Sequence, residues 1–140
     1  LSESLSERGT RSVTEADYRF EGEGLGDALG ISVTGVGDVD LDGVSDLLIG
    51  AFRHSPDDGQ SGGGAAYLFM GGSLGEPGLI QAAGADYVFD GVGEWMGAGR
   101  AVAGVGDVNG DGRVDFVVGA PMEQDHALEG AGRAYLLMTP

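Results

Sequence analysis

Two stretches decide how this chain reads: Asp38-Val39-Asp40-Leu41-Asp42-Gly43-Val44-Ser45-Asp46 and Asp107-Val108-Asn109-Gly110-Asp111-Gly112-Arg113-Val114-Asp115. In each, oxygen-bearing side chains stand at positions 1, 3, 5 and 9, with glycine at position 6. Calcium takes six to eight hard oxygen ligands at roughly 2.3–2.6 Å, and alternate residues on a tightly wound loop can all point inward. The candidate ligands are Asp38, Asp40, Asp42 and Asp46 in the first loop, and Asp107, Asn109, Asp111 and Asp115 in the second. Position 7, Val44 or Arg113, would add its backbone carbonyl, and the glycine permits the sharp bend. Without a cation, clustered carboxylates repel and raise one another's pKa. An EF-hand needs Glu at position 12 and flanking helices, but position 12 here is Ile49 or Val118, inside apolar runs. Magnesium fits less well, because it demands octahedral geometry and keeps several waters. Two calcium sites per chain are expected.

The two loops belong to a longer duplication. Ala16-Asp17-Tyr18-Arg19-Phe20 aligns with Ala85-Asp86-Tyr87-Val88-Phe89 at a shift of 69 residues. The same shift carries Gly35-Val36-Gly37-Asp38-Val39 onto Gly104-Val105-Gly106-Asp107-Val108, and Gly50-Ala51 onto Gly119-Ala120. Further on, Tyr67-Leu68 matches Tyr135-Leu136 at a shift of 68. Repetition at such a period marks a repeat architecture. Each unit reads as short strands parted by turn residues, with Leu47-Leu48-Ile49 an apolar run suited to a strand buried on both faces. No segment carries a helical period with caps. Four short strands per unit fit a four-stranded propeller blade. The expected fold is therefore all-β: two four-stranded β-propeller blades with a permuted outer strand at residues 16–20. The domain reading is a flexible tether over 1–15, a first repeat over 16–83 and a second over 84–140. Because propellers need about four to eight blades, ring closure is expected from a longer chain, or from a homo-oligomeric trimer or tetramer.

Leu29-Gly30-Ile31-Ser32-Val33 before the first loop and Leu47-Leu48-Ile49-Gly50-Ala51 after it resemble the FG-GAP repeat of integrin α-subunit β-propellers. Phe116-Val117-Val118-Gly119-Ala120-Pro121 in the second unit is closer still to the Gly-Ala-Pro part. The chain departs from the pattern where Phe-Gly becomes Leu29-Gly30 and Ala98-Gly99, and where Phe52 replaces Pro. The resemblance implies a propeller, calcium at the matched loops, and a role in adhesion or extracellular recognition.

Composition narrows the function. The 140 residues carry 23 acidic and seven basic side chains, all of the latter arginine, for a net charge of −16. Such a surface repels phosphate backbones, which argues against nucleic-acid binding. With no cysteine, thiol and zinc-thiolate chemistry drops out, and apolar runs fall far short of the ~20 residues of a membrane-spanning helix. Gly59-Gln60-Ser61-Gly62-Gly63 and Gly71-Gly72-Ser73-Leu74-Gly75 match a nucleophile pattern without its strand-turn-helix context. His54 and His126 read as solvated loop histidines, and Trp95 as a packing residue. The leading expectation is a non-catalytic, calcium-binding adhesion or protein-recognition module, extracellular or at the cell surface. A secreted hydrolase or carbohydrate-binding protein, using Asp57, Asp58, Asp125 and His126, is the alternative. A self-assembling architectural fragment without a ligand is the third reading.

Overall fold

A computed structural model describes residues 9–55, 62–91, 93, 96–122 and 130–139. Asp57, Asp58, Ser61, Trp95, Asp125 and His126 lie outside the described residues, as do residues 1–8 of the expected tether. Nine strands are described: β1 (Tyr18–Glu21), β2 (Leu29–Gly37), β3 (Asp46–Ala51), β4 (Ala65–Phe69), β5 (Gly78–Gln81), β6 (Tyr87–Asp90), β7 (Ala101–Gly106), β8 (Asp115–Ala120) and β9 (Arg133–Leu137). Strands β2-β3-β4-β6 form an antiparallel sheet, β7-β8-β9 form a second, and β1 and β5 pair in parallel.

The expectation of two four-stranded propeller blades is corrected by this arrangement. One sheet has four strands and the other three, and neither closes nor curls as propeller blades do. The residues expected to supply a permuted outer strand instead form β1, paired with β5. Strand β5 falls in a stretch that reads as loop from sequence, because four residues beside Pro77 and Gly78 carry little local strand signal. Its register opposite β1 sets Phe20 beside Ile80, and both pack against the first sheet.

Burial explains the layering. In β3 the odd and even side chains part to opposite faces, and both faces are covered. Leu48, with Val36, Ala66 and Leu68, packs against Phe116 and Val118 of the second sheet. Ile49, with Tyr67 and Phe69, packs on the other side with Phe20 and Ile80. The Phe89–Phe116 and Phe20–Phe69 ring pairs, at 5.3 and 4.7 Å, anchor the two interfaces.

Glycine governs how closely the sheets approach. A Cβ on Gly50 would overlap the Gly99 carbonyl, which also accepts a 2.8 Å hydrogen bond from Ser32 Oγ. The Gly of Gly-Ala in one unit thus receives the Gly that follows Ala98 in the next. Backbone conformation repeats with the sequence: positive φ recurs at 30 and 99, 37 and 106, and 43 and 112. Two further pairs break the glycine rule, since Ala28 (φ 57) stands opposite Gly97, and Leu41 (φ 63) opposite Gly110.

A left-handed conformation costs a non-glycine residue about 1–2 kcal/mol, partly offset by the chain entropy that glycine adds to the unfolded state. Both side chains are exposed, so little packing is lost on removing them. Ala28→Gly and Leu41→Gly should each raise stability by about 0.5–1 kcal/mol in chemical denaturation. A lower midpoint in both variants would contradict this backbone reading.

Candidate metal centre

The first acidic loop joins β2 to β3, and its carboxylates order the backbone around them. Asp42 N–H donates to Asp38 Oδ1 (3.0 Å) and Asp40 Oδ1 (3.1 Å), Gly43 N–H to Asp38 Oδ2 (2.9 Å), and Val44 N–H to Asp42 Oδ1 (2.7 Å). These bonds wind the loop so that Asp38, Asp40 and Asp42 each bring a carboxylate oxygen within 4.8 Å of the others. Three hard, anionic donors on one loop suit a divalent cation of the calcium type. Desolvation raises the Asp40 pKa above its ordinary value, and the neighbouring Asp42, Asp46 and Asp38 charges push the same way. A folded-state pKa above the unfolded one means that this carboxylate disfavours the fold once pH rises past it. A bound cation would reverse that effect.

The second loop, between β7 and β8, repeats these four bonds and adds one from Gly110 N–H to Asp107 Oδ1 (2.6 Å). Asp111 N–H donates to Asp107 Oδ1 (3.1 Å) and Asn109 Oδ1 (3.0 Å), Gly112 N–H to Asp107 Oδ2 (2.7 Å), and Arg113 N–H to Asp111 Oδ1 (2.8 Å). Its donor set differs at one position. Asn109 replaces an aspartate, and its amide nitrogen donates to Asp111 Oδ2 at 2.8 Å. Among the described residues, only the first loop gathers three acidic side chains. The Asp107 pKa is lowered, first by the Gly112 N–H and then by other loop amides, against the opposing effect of desolvation. The two loops share a shape but differ in charge.

Asp46 and Asp115, expected as ninth-position ligands, are buried at the starts of β3 and β8. Asp46 accepts from Val39 N–H (2.7 Å) and from Gly71 N–H (2.8 Å), beyond the end of β4. Asp115 accepts from Val108 N–H (2.9 Å) and Thr139 N–H (3.1 Å), beyond the end of β9. Each carboxylate therefore ties the mouth of its loop to the exit of the third strand. Val44 and Arg113 lie on the loops, with their N–H groups engaged by Asp42 and Asp111.

A second polar cluster was not legible in the sequence. His54, read there as solvated, is buried; its Nδ1 lies 3.1 Å from Asp27 Oδ2, and its Nε2 lies 3.9 Å from Asp90 Oδ1. Its ring meets Tyr67 edge-on at 5.7 Å, and Tyr67 donates to Glu23 Oε1 at 2.9 Å. Burial, and then the Glu23 hydrogen bond, raise the Tyr67 pKa, keeping the phenol a donor. Ser73, in the second nucleophile-like pattern, sits in a three-residue 3-10 turn and donates to Met70 O (3.1 Å) and to the Asp86 carboxylate (3.0 and 3.1 Å).

Residues 98–137 match the family model described as FG-GAP repeat. The chain is 34% identical to integrin alpha-PS2 of Drosophila melanogaster over 122 residues, 85% of this chain and 8% of that protein. It is 34% identical to integrin alpha-6 of Gallus gallus over 135 residues, 94% of this chain and 11% of that protein. Identity to integrin alpha-6 of Homo sapiens is 36% over 110 residues, 76% of this chain and 9% of that protein. The chain thus spans about a tenth of these relatives' length.

Removing the buried carboxylate strands two amide donors, each unsatisfied buried group costing about 1–3 kcal/mol. In chelator, Asp46→Ala should destabilise the chain by roughly 2–4 kcal/mol, while Asp40→Ala, at an exposed position, should leave stability unchanged or raise it. Equal losses in the two variants, measured by urea denaturation, would contradict the clamp.

Proposed function

We propose that this chain, which matches the FG-GAP repeat over residues 98–137 and is similar to part of integrin α-subunits, is a calcium-binding, non-catalytic module for adhesion or protein recognition. The observation that carries the reading is the convergence of Asp38, Asp40 and Asp42 in a loop whose bonding pattern recurs at Asp107, Asn109 and Asp111. That repetition supports a reading of two calcium sites per chain. Asp38, Asp40, Asp42 and Asp46, with the Val44 carbonyl, would hold one ion. Asp107, Asn109, Asp111 and Asp115, with the Arg113 carbonyl, would hold the other. Asp46 and Asp115 can serve while remaining clamps, because an ionised carboxylate has about four lone-pair sites and the amides engage two.

The ion's part is architectural. It neutralises a loop that is otherwise self-repelling and fixes the turn between two adjacent strands of one sheet. Integrin kinship supports an extracellular or cell-surface setting, where calcium loops of roughly 10⁻⁴–10⁻³ M affinity are kept filled. The ligand class that fits a recognition module of this kind is a protein or a glycan.

Calcium at tenfold excess over its dissociation constant stabilises a one-site protein by about 1.4 kcal/mol. Adding calcium to the chelated chain should raise its melting temperature. Asp42→Ala and Asp111→Ala should each remove part of that rise, and the double variant should remove nearly all of it. A melting temperature indifferent to calcium and chelator would sink the proposal.

A further inference from the structure

The two acidic loops are unequal hosts for a cation. Residues 38–46 hold four aspartates and no basic residue, for a formal charge of −4. Residues 107–115 hold three aspartates and Arg113, for −2, with the neutral Asn109 standing where the first loop has Asp40. Internal bonding differs in the same direction. Asp107 accepts from the N–H groups of Gly110 (2.6 Å), Asp111 (3.1 Å) and Gly112 (2.7 Å), and Asp111 accepts from Arg113 N–H and Asn109 Nδ2, both at 2.8 Å. Among the described residues of the first loop, Asp38 accepts two such bonds, from Asp42 and Gly43, and Asp42 accepts one, from Val44. There the Asp38, Asp40 and Asp42 oxygens stand within 4.8 Å of one another, close enough for like charges to repel. The backbone diverges at the same place, since Leu41 takes a φ of 63° where the second loop has Gly110 at 81°. An unfilled first loop therefore carries repulsion and backbone cost that the second is spared.

Resting on the calcium reading above, we propose that the chain takes up its two ions in separate steps, with the first loop filling at lower calcium than the second. Asp40 is the residue that sets the difference. Affinity in oxygen cages follows ligand charge and site rigidity, and the two pull in opposite directions here. The fuller bonding of the second loop pre-shapes it, which lowers the cost of ordering it around an ion. Charge outweighs that advantage. Even at the dielectric of bulk water, one added carboxylate roughly 4 Å away raises the affinity for a divalent ion more than about tenfold. The second loop also starts from a competing bond, because a cation drawn to Asp111 Oδ2 meets the Asn109 amide that already donates to it. Between the two affinities the chain holds one ion. The β2–β3 turn is then fixed, and a change in calcium over that interval is felt at the β7–β8 turn alone. Duplication has thus produced a loop that stays filled and a loop that responds.

The test is calorimetric titration of calcium into the full chain after chelator has been dialysed away, with variants that isolate each site. Asp111→Ala should leave one site at the tighter constant and Asp42→Ala one site at the weaker, about tenfold or more apart. Asp40→Asn gives the first loop the donor that the second has, and should weaken the tight step by a similar factor while the weak step stays put. Asn109→Asp should do the reverse and tighten the weak step. All four positions are exposed, and the Asp/Asn exchanges keep the side-chain shape, so the comparison survives a failure of either alanine variant to fold. Equal constants at the two sites, or an Asn109→Asp chain that binds as the unaltered one does, would overturn the proposal and leave the calcium reading standing. A chain that takes up no calcium would overturn both.

Discussion

A buried carboxylate at the start of the second long strand of each unit holds the rest in place. Asp46 gathers the N–H of Val39, at the mouth of the acidic loop, and that of Gly71, after β4; Asp115 does the same for Val108 and Thr139. Charged acceptors make hydrogen bonds roughly twice as strong as neutral ones, and a buried donor left unpaired is costly. The mouth of the acidic loop and the exit of the third strand are therefore held together by one side chain. The candidate ligands can then sit on an exposed loop, because the backbone that carries them is anchored from below.

The second constraint is close approach. Gly50 and Gly99 let the sheets meet backbone to backbone, which brings Leu48, Leu68, Phe116 and Val118 into one core. A side chain at either glycine would separate the layers and forfeit dispersion contacts on both sides. The Gly-Ala and Gly signatures of the FG-GAP pattern thus have a mechanical meaning in this chain: they form the seam between units.

Much of this could be read from residues alone. The duplication, the acidic loops and the doubly buried Leu47-Leu48-Ile49 strand depend on local spacing and composition, which sequence displays directly. What was missed depends on pairing across distance. Gly78–Gln81 becomes a strand only because Tyr18–Glu21 lies beside it, in parallel and 60 residues away. His54 is buried only because Asp27 and Tyr67, from other segments, enclose it. Propeller closure was inferred from strand count, yet strand count does not fix curvature, and the sheets remain open. Spacing also placed an oxygen at the ninth position of each loop without revealing that both of its carboxylate oxygens serve backbone amides.

The proposed function rests on a cation at the two acidic loops. Its central claim is tested most directly by counting calcium ions bound per chain, by equilibrium dialysis of the intact protein with elemental analysis. Two ions per chain are predicted, falling to one when either Asp42 or Asp111 is replaced by alanine. A chain that binds no calcium at extracellular concentrations would contradict it.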